Sequence, residues 1–411
     1  MRWAGLSRSQ RIIPNSARMT ERVLRLGVAG LGKAFMLMLP GLLAHPNVKL
    51  VAAADPRREA RERFAADFGE KVYEDVEALA GDPDVQAIYV ASPHEFHMAH
   101  VCLAAAHRKH VLVEKPMALT LQDCQTMIEA VHRARVHMVV GHSHSFDPPI
   151  ARTRALIQSG EFGRLQMITA INFTDFLYRP RRPEELRTET GGGVIYNQAP
   201  HHVDVVRLLA GGRVTSVRAL TGAWDETRPT EGAYVALLTF EGTFASLTYS
   251  GYAHFDSDEF MDWIAESGYP KNSGQFAATR ATLAGAASAK GETMLKQAYN
   301  YGGAAQAAAP QGEFWHQQFG PVIASCTHAD LRPLPKGVVI HSDLGRRFEP
   351  IDPPLIPRQA VIDELTAAVF DDVPPLHDGA WGMATMEVCL AMLQSAREKR
   401  EIVLAHQVGI A

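Results

Sequence analysis

Between residues 23 and 145 the apolar positions fall into two kinds of run that alternate. Leu24-Arg25-Leu26-Gly27-Val28-Ala29 is short and apolar, and Gly30-Leu31-Gly32 closes it; residues 48–54 form a second such run, closed by Asp55-Pro56. Residues 33–44 between them read as a helix, and 57–68 place Ala60, Phe64 and Phe68 at helical spacing. Further strands are expected at 87–91, 111–113 and 137–141, with helices over 96–106 and 121–134. Apolar strands alternating with helices of ten to fifteen residues predict stacked βαβ units on a parallel sheet buried on both faces.

After about residue 145 the rhythm changes. Residues 165–173, 214–221, 234–240 and 243–250 alternate and are rich in β formers, with Glu241-Gly242 as a turn, which predicts an antiparallel sheet. Residues 253–350 fit neither pattern and are expected to be an irregular insertion of short helices and loops over a cleft. Two last helices, near 358–370 and 381–397, should return to the first domain. The expected division is an extension over 1–22, a nucleotide-binding domain over 23–145 and an α+β substrate domain over 146–404.

Composition narrows the function. The 411 residues carry 41 Lys plus Arg against 45 Asp plus Glu, a net charge of −4, which speaks against nucleic acid as principal partner. The longest uncharged apolar run, 34–44, contains Pro40 and Gly41 and is too short to span a bilayer. Cys102, Cys124, Cys326 and Cys389 are far apart, so a disulfide framework is disfavoured and a reducing cytoplasm fits best. The first eighteen residues hold four arginines and no apolar core of a secretory signal; they read as a disordered extension, with Met19 as an alternative start.

Three places carry candidate chemistry. Gly30 and Gly32 flank Leu31 in a turn where the backbone can approach a pyrophosphate, and the following helix offers unpaired amides. Asp55 ends the second strand, where a carboxylate can accept bonds from an adenosine ribose; it favours NAD over NADP, although Arg57 and Arg58 stand close enough to meet a 2′-phosphate. Phe35 occupies the usual place of a third glycine, which implies a shifted helix. Glu114-Lys115-Pro116 follows the strand at 111–113, so Lys115 can hold an ammonium against a substrate oxygen. Ser92-Pro93 and His97 follow another strand end and could line the nicotinamide pocket. In Gly191-Gly192-Gly193-Val194-Ile195-Tyr196-Asn197-Gln198-Ala199-Pro200-His201-His202-Val203-Asp204, Asn197 and His201 share one helical face, and His201 suits proton transfer while Asn197 and His202 could contact substrate. No set of histidines has a recognised zinc spacing, so no metal is expected.

With these residues in place the chain resembles the Gfo/Idh/MocA oxidoreductases, through Gly27 to Gly32, Ser92-Pro93 with His97, Glu114-Lys115-Pro116, the stretch from Gly192 to Asp204, and Asp378-Gly379. The resemblance implies α/β architecture: a Rossmann doubly wound parallel sheet plus an α+β domain with a large, mostly antiparallel open sheet that often builds homo-oligomers, here a dimer or tetramer. It implies that Lys115 is the catalytic lysine, joined to Pro116 by a cis peptide, and that His201 is the catalytic histidine. Asn197 stands where many sugar and inositol members have aspartate, which leaves Lys115 and His201 as the acid/base pair.

The run from Phe173 to Leu186, then Phe319-Gly320-Pro321 and Ala329 to Pro333, is similar to dehydrogenases of 4,5-dihydro-4,5-dihydroxyphthalate. An anionic substrate would give Arg179, Arg181 and Arg182 a purpose, and a surface salt-bridge cluster is the competing reading. The expected activity is NAD-dependent (NADP as alternative) hydride transfer from a ring CH–OH, with a small molecule as partner. A sugar or inositol dehydrogenase, an NAD-dependent glycosidase and a non-catalytic dinucleotide sensor stay as alternatives.

Overall fold

The computed structural model describes residues 22–286, 288–303 and 312–410, so the expected extension and the alternative start lie outside the described residues, Arg22 excepted. Six strands, β1 (Leu24–Ala29), β2 (Val48–Ala54), β3 (Lys71–Tyr73), β4 (Ala87–Val90), β5 (His110–Val113) and β6 (Met138–Val140), form a wholly parallel sheet in the order β3-β2-β1-β4-β5-β6. That order reverses between β1 and β4, and the reversal opens a crevice at the carboxyl ends of the strands. The crossovers contain α1 (Lys33–Ala44), α2 (Arg58–Phe68), α3 (Val76–Gly81), α4 (His97–Ala106) and α5 (Leu121–Ala134). All four residues of β4 are buried, as a strand covered by helices on both faces requires. The elements without a sequence signal are β3, three residues with none buried, and α3, six residues long; neither has the length to show a period.

The second sheet has nine strands. After α6 (Pro148–Gln158) and β7 (Leu165–Phe173) come α7 (Gly193–Asn197) and α8 (Ala199–Ala210), then β8 (Val214–Gly222), β9 (Ala233–Phe240) and β10 (Thr243–Ser250). Past α9 (Gln275–Ala284) and α10 (Ala289–Ala298) follow β11 (Val322–Cys326), β12 (Ala329–Leu334), β13 (Gly337–Ser342) and β14 (Gly345–Pro350), and the chain closes with α11 (Gln359–Asp371), α12 (Gly379–Glu398) and β15 (Ile402–Val403). The order is β14-β13-β12-β11-β7-β10-β9-β8-β15, and every neighbour pair is antiparallel except β7 with β10. The sheet is therefore mostly antiparallel, with its helices on one face.

Residues 322–350 correct the expectation of loops and short helices: they are four strands that extend the sheet by nearly half. Their signal is weak for physical reasons. Pro333 interrupts β12, β13 is apolar without alternation, and none of the residues of β14 is buried. The two helices α9 and α10 do match the expectation of short helices there.

The C-terminal helices position the crevice. α11 packs on α1 and β6, while α12 lies between the sheets, against α5 and β6 on one side and α8 and β8 on the other. Asp378 caps α12 by accepting from the Trp381 amide at 2.8 Å. Inside this joint Arg207, fully buried, lies 3.9 Å over the Trp381 ring and donates to Trp381 O and Thr385 Oγ1.

Candidate active site

The cofactor end is built around one glycine. Gly30 has φ +99°, and a Cβ there would stand 2.8 Å from the Ser92 backbone, so the turns after β1 and β4 touch and only glycine fits. A Cβ on Gly32 would meet nothing within 4 Å, and Gly32 caps α1 without a side-chain bond. The space beside Gly32 at the start of α1 is thus open, and a helix start with its unpaired amides is the arrangement that receives a diphosphate.

Asp55, buried at the end of β2, accepts the Leu31 amide on Oδ2 at 2.8 Å and the Arg57 amide on Oδ1 at 2.9 Å. The Arg57 guanidinium lies along the same carboxylate, Nε to Oδ1 at 3.0 Å and Nη2 to Oδ2 at 3.0 Å, and also donates to Leu31 O at 2.8 Å. Gly30, Leu31, Asp55 and Arg57 therefore form one clamp. Phe35, placed by sequence at a shifted helix, instead finds room in a core with Phe64 at 6.2 Å and Tyr301 at 5.2 Å between ring centres; Tyr301 arrives from beyond α10.

His97 is a strut. Its two ring nitrogens lie 2.9 Å from Pro116 O and 3.0 Å from Ser92 O, so it locks the turn after β4 to the turn after β5. Burial, then the neighbouring His94, push its pKa down to about 4 against the pull of these carbonyls, so at neutral pH one ring nitrogen donates and the other only faces its carbonyl. Ser92 Oγ bonds His100 Nδ1 at 2.8 Å, and Pro93 begins the turn that leads into α4. Glu114 points into the sheet and accepts the Tyr89 hydroxyl at 2.5 Å; burial raises its pKa.

The substrate end gathers residues from distant parts of the chain. Lys115 precedes a cis peptide to Pro116, and its Nζ donates to Asn197 O at 3.0 Å, four residues before His201. The structure thus brings Lys115 together with the stretch that carries His201. Burial lowers the Lys115 pKa, and burial, followed by the nearby Lys115 charge, holds His201 well below the ordinary imidazole value. His201 is 5% exposed, with its ring 4.8 Å from those of His144 and Phe319.

The other expected substrate contacts, Asn197, His202 and Arg179, each also hold a bond within the protein. The Asn197 amide donates to Gly191 O at 3.1 Å and Gly193 O at 2.8 Å, so its NH₂ ties the glycine turn. That turn is required because Gly193 has φ +76° and a Cβ there would lie 2.3 Å from Thr230 Oγ1. His202 turns toward the sheet and bonds Tyr234 Oη at 3.0 Å. Arg179 bonds Asp175 through Nε at 2.8 Å. Arg181 folds back on Phe176, 3.7 Å over the ring, with no ion pair among the described residues, whereas Arg182 sits near Glu95 and Glu185, so the salt-bridge reading fits Arg182 and, through Asp175, Arg179.

Near His201 the structure also places His142 and His144, which the sequence offered only as histidines without a zinc spacing, and Asp147 and Glu266, which the sequence reading missed. His142, His144 and Asp147 follow the carboxyl end of β6, a position that the βα pattern marks as a site even where no spacing motif exists. Glu266 comes from the segment after β10 that had no pattern, and burial opposes its charge while the contact with His144 holds its pKa down to about 2.

A glycine turn opening a helix on a six-stranded parallel sheet, with a lysine and a histidine converging beyond it, defines a dinucleotide-dependent oxidoreductase. The comparisons agree: residues 24–142 match the GFO_IDH_MocA group, described as an oxidoreductase family with an NAD-binding Rossmann fold, and residues 150–268 match the GFO/IDH/MocA C-terminal domain. The chain belongs to the Gfo/Idh/MocA family, and its first domain binds NAD. It is 46% identical over 377 residues to the 1-carboxy-3-chloro-3,4-dihydroxycyclohexa-1,5-diene dehydrogenase of Comamonas testosteroni, covering 91% of this chain and 95% of that protein. The scyllo-inositol 2-dehydrogenase of Bacillus subtilis is 30% identical over 199 residues, 48% of this chain and 57% of that protein. The crystal structure of a dehydrogenase from Bordetella bronchiseptica RB50 superposes with a TM-score of 0.87 at 42% identity, covering 93% of this chain and all (100%) of that one.

Proposed function

We propose that this protein oxidises a carboxylated ring cis-diol. Gly30, Leu31, Asp55 and Arg57 would hold NAD, which would supply the hydride acceptor for one carbinol carbon of the substrate. Its hydroxyl proton goes to the pair formed by Lys115 and His201, and the resulting ketone tautomerises to a catechol, which draws the reaction forward. The observation that carries this reading is the meeting of Lys115 with the His201 turn beyond the glycine clamp, both groups driven by burial toward their neutral, proton-accepting forms. The relative from Comamonas, whose name specifies a carboxylated dihydroxycyclohexadiene, supports the substrate class. Among the described residues Arg179 is bonded through Nε alone, which leaves a guanidinium edge for a carboxylate.

In this reading residues 23–145 bind the cofactor, residues 146–404 shape the substrate pocket, and the protein works in the cytoplasm; among the described residues no helix is long and apolar enough to cross a membrane. Two copies pair through the uncovered face of the second sheet, where Leu220, Val235, Leu237, Phe244 and Ile323 are exposed. The test is NADH formation from NAD with carboxylated cis-dihydrodiols, set against inositols and aldoses. Turnover of the dihydrodiols alone is expected; turnover of the polyols alone would give the site to the inositol branch.

A further inference from the structure

The aspartate at the end of β2 has its acceptor positions filled from within the protein. A carboxylate offers about four lone-pair sites. At Asp55, Oδ2 accepts the Leu31 amide at 2.8 Å and Arg57 Nη2 at 3.0 Å, while Oδ1 accepts the Arg57 amide at 2.9 Å and Arg57 Nε at 3.0 Å. A ribose hydroxyl therefore reaches this carboxylate only by displacing a donor. The two amides are fixed by the backbone, so the guanidinium is the donor that can give way. The same two-point contact answers the negative charge that makes an aspartate at this place repel a 2′-phosphate.

Arg57 is open to an incoming anion. Its side chain is 24% exposed against 5% for Asp55, and its loosest contact is Nη1 to Tyr301 O at 3.4 Å. Arg61, one turn further along α2, donates through Nη1 to Asp55 O at 2.7 Å and Pro56 O at 2.9 Å and forms no ion pair among the described residues. Arg58 is drawn aside by Glu62 at 2.7 Å. Two guanidiniums thus stand around one carboxylate where the adenosine ribose ends. We propose that Arg57, with Arg61 behind it, takes the 2′-phosphate of NADP, so that this protein binds NADP about as well as NAD. With NAD the guanidinium gives up its carboxylate to the ribose and gains no anion; with NADP the phosphate replaces what it gives up. The segment after α10 takes part, because Tyr301, whose ring packs on Phe35, sets its carbonyl against Arg57.

The inference rests on the cofactor site and not on the substrate reading. The test titrates the full chain by calorimetry with NAD, NADP, 5′-AMP and 2′,5′-ADP, with no substrate present. NADP is expected to bind within about tenfold of NAD, and 2′,5′-ADP more tightly than 5′-AMP. Arg57→Ala should raise the ratio of the NADP to the NAD dissociation constant by about tenfold, the loss of a charge-assisted phosphate contact. Arg57→Gln, which keeps the stem and loses the charge, repeats the comparison should the alanine variant bind neither cofactor. Wild type that binds NADP more than about tenfold more weakly than NAD, 2′,5′-ADP no tighter than 5′-AMP, or a ratio that the variants leave unmoved overturns the proposal. NADH formation from a dihydrodiol with NADP refused would sink this inference and spare the dehydrogenase; both cofactors bound and neither reduced by any dihydrodiol would do the reverse.

Discussion

At the residue scale the account turns on where burial leaves charge. Lys115→Ala should lower kcat by about 10²- to 10⁴-fold while the NAD dissociation constant moves only a few-fold, read by steady-state kinetics beside fluorescence titration. Asp55→Ala should weaken NAD and release Arg57 from its carboxylate, so the kcat/KM ratio of NAD to NADP should fall; an unchanged ratio would remove Asp55 from ribose recognition. His97 predicts acid lability. Its folded pKa of about 4 lies below the ordinary 6.5, so the unfolded chain binds the proton first. The stability from its neutral form is present above pH 6.5 and is lost as pH falls toward about 4, roughly 3 kcal/mol in urea unfolding, and His97→Asn should flatten that slope. Lys115 and His201 were legible because each follows a turn that the pattern marks. Glu266 and His144 were not, since their meeting depends on a long-range approach that no local spacing records.

At the scale of elements, the βαβ half was legible because buried parallel strands and amphipathic helices leave long periods. β11 to β14 were not, because Pro333 stands inside β12, β13 is apolar without alternation, and the outer strand has no buried side to alternate with. The segment after α10 has a role the sequence hid: Tyr301 packs on Phe35, its hydroxyl bonds Asp67 at 2.7 Å, and Gly302, at φ +74°, lets the chain press on Ala60. A Cβ on Gly302 would lie 2.9 Å from Ala60 Cα. Gly302→Val should therefore lift this segment from α2, seen as faster proteolysis within 275–303 and a several-fold weaker hold on NAD. Equal protease resistance would mean that the contact is incidental.

At the scale of the whole molecule, α12 and the buried Arg207 tie the two sheets, so the crevice has a fixed shape on which Lys115 and His201 depend. The open sheet face carries the prediction about assembly: Leu237→Glu with Phe244→Glu should convert the oligomer to monomers in sedimentation velocity with the far-ultraviolet dichroism unchanged. A monomeric wild type would contradict that pairing. The central claim is that hydride leaves a ring carbinol carbon for bound nicotinamide. A carboxylated cis-dihydrodiol labelled with deuterium at its carbinol carbons, turned over with NAD, tests it most directly. The account predicts deuterium at C4 of the reduced nicotinamide; label released to water, or catechol formed with NAD unreduced, would contradict it.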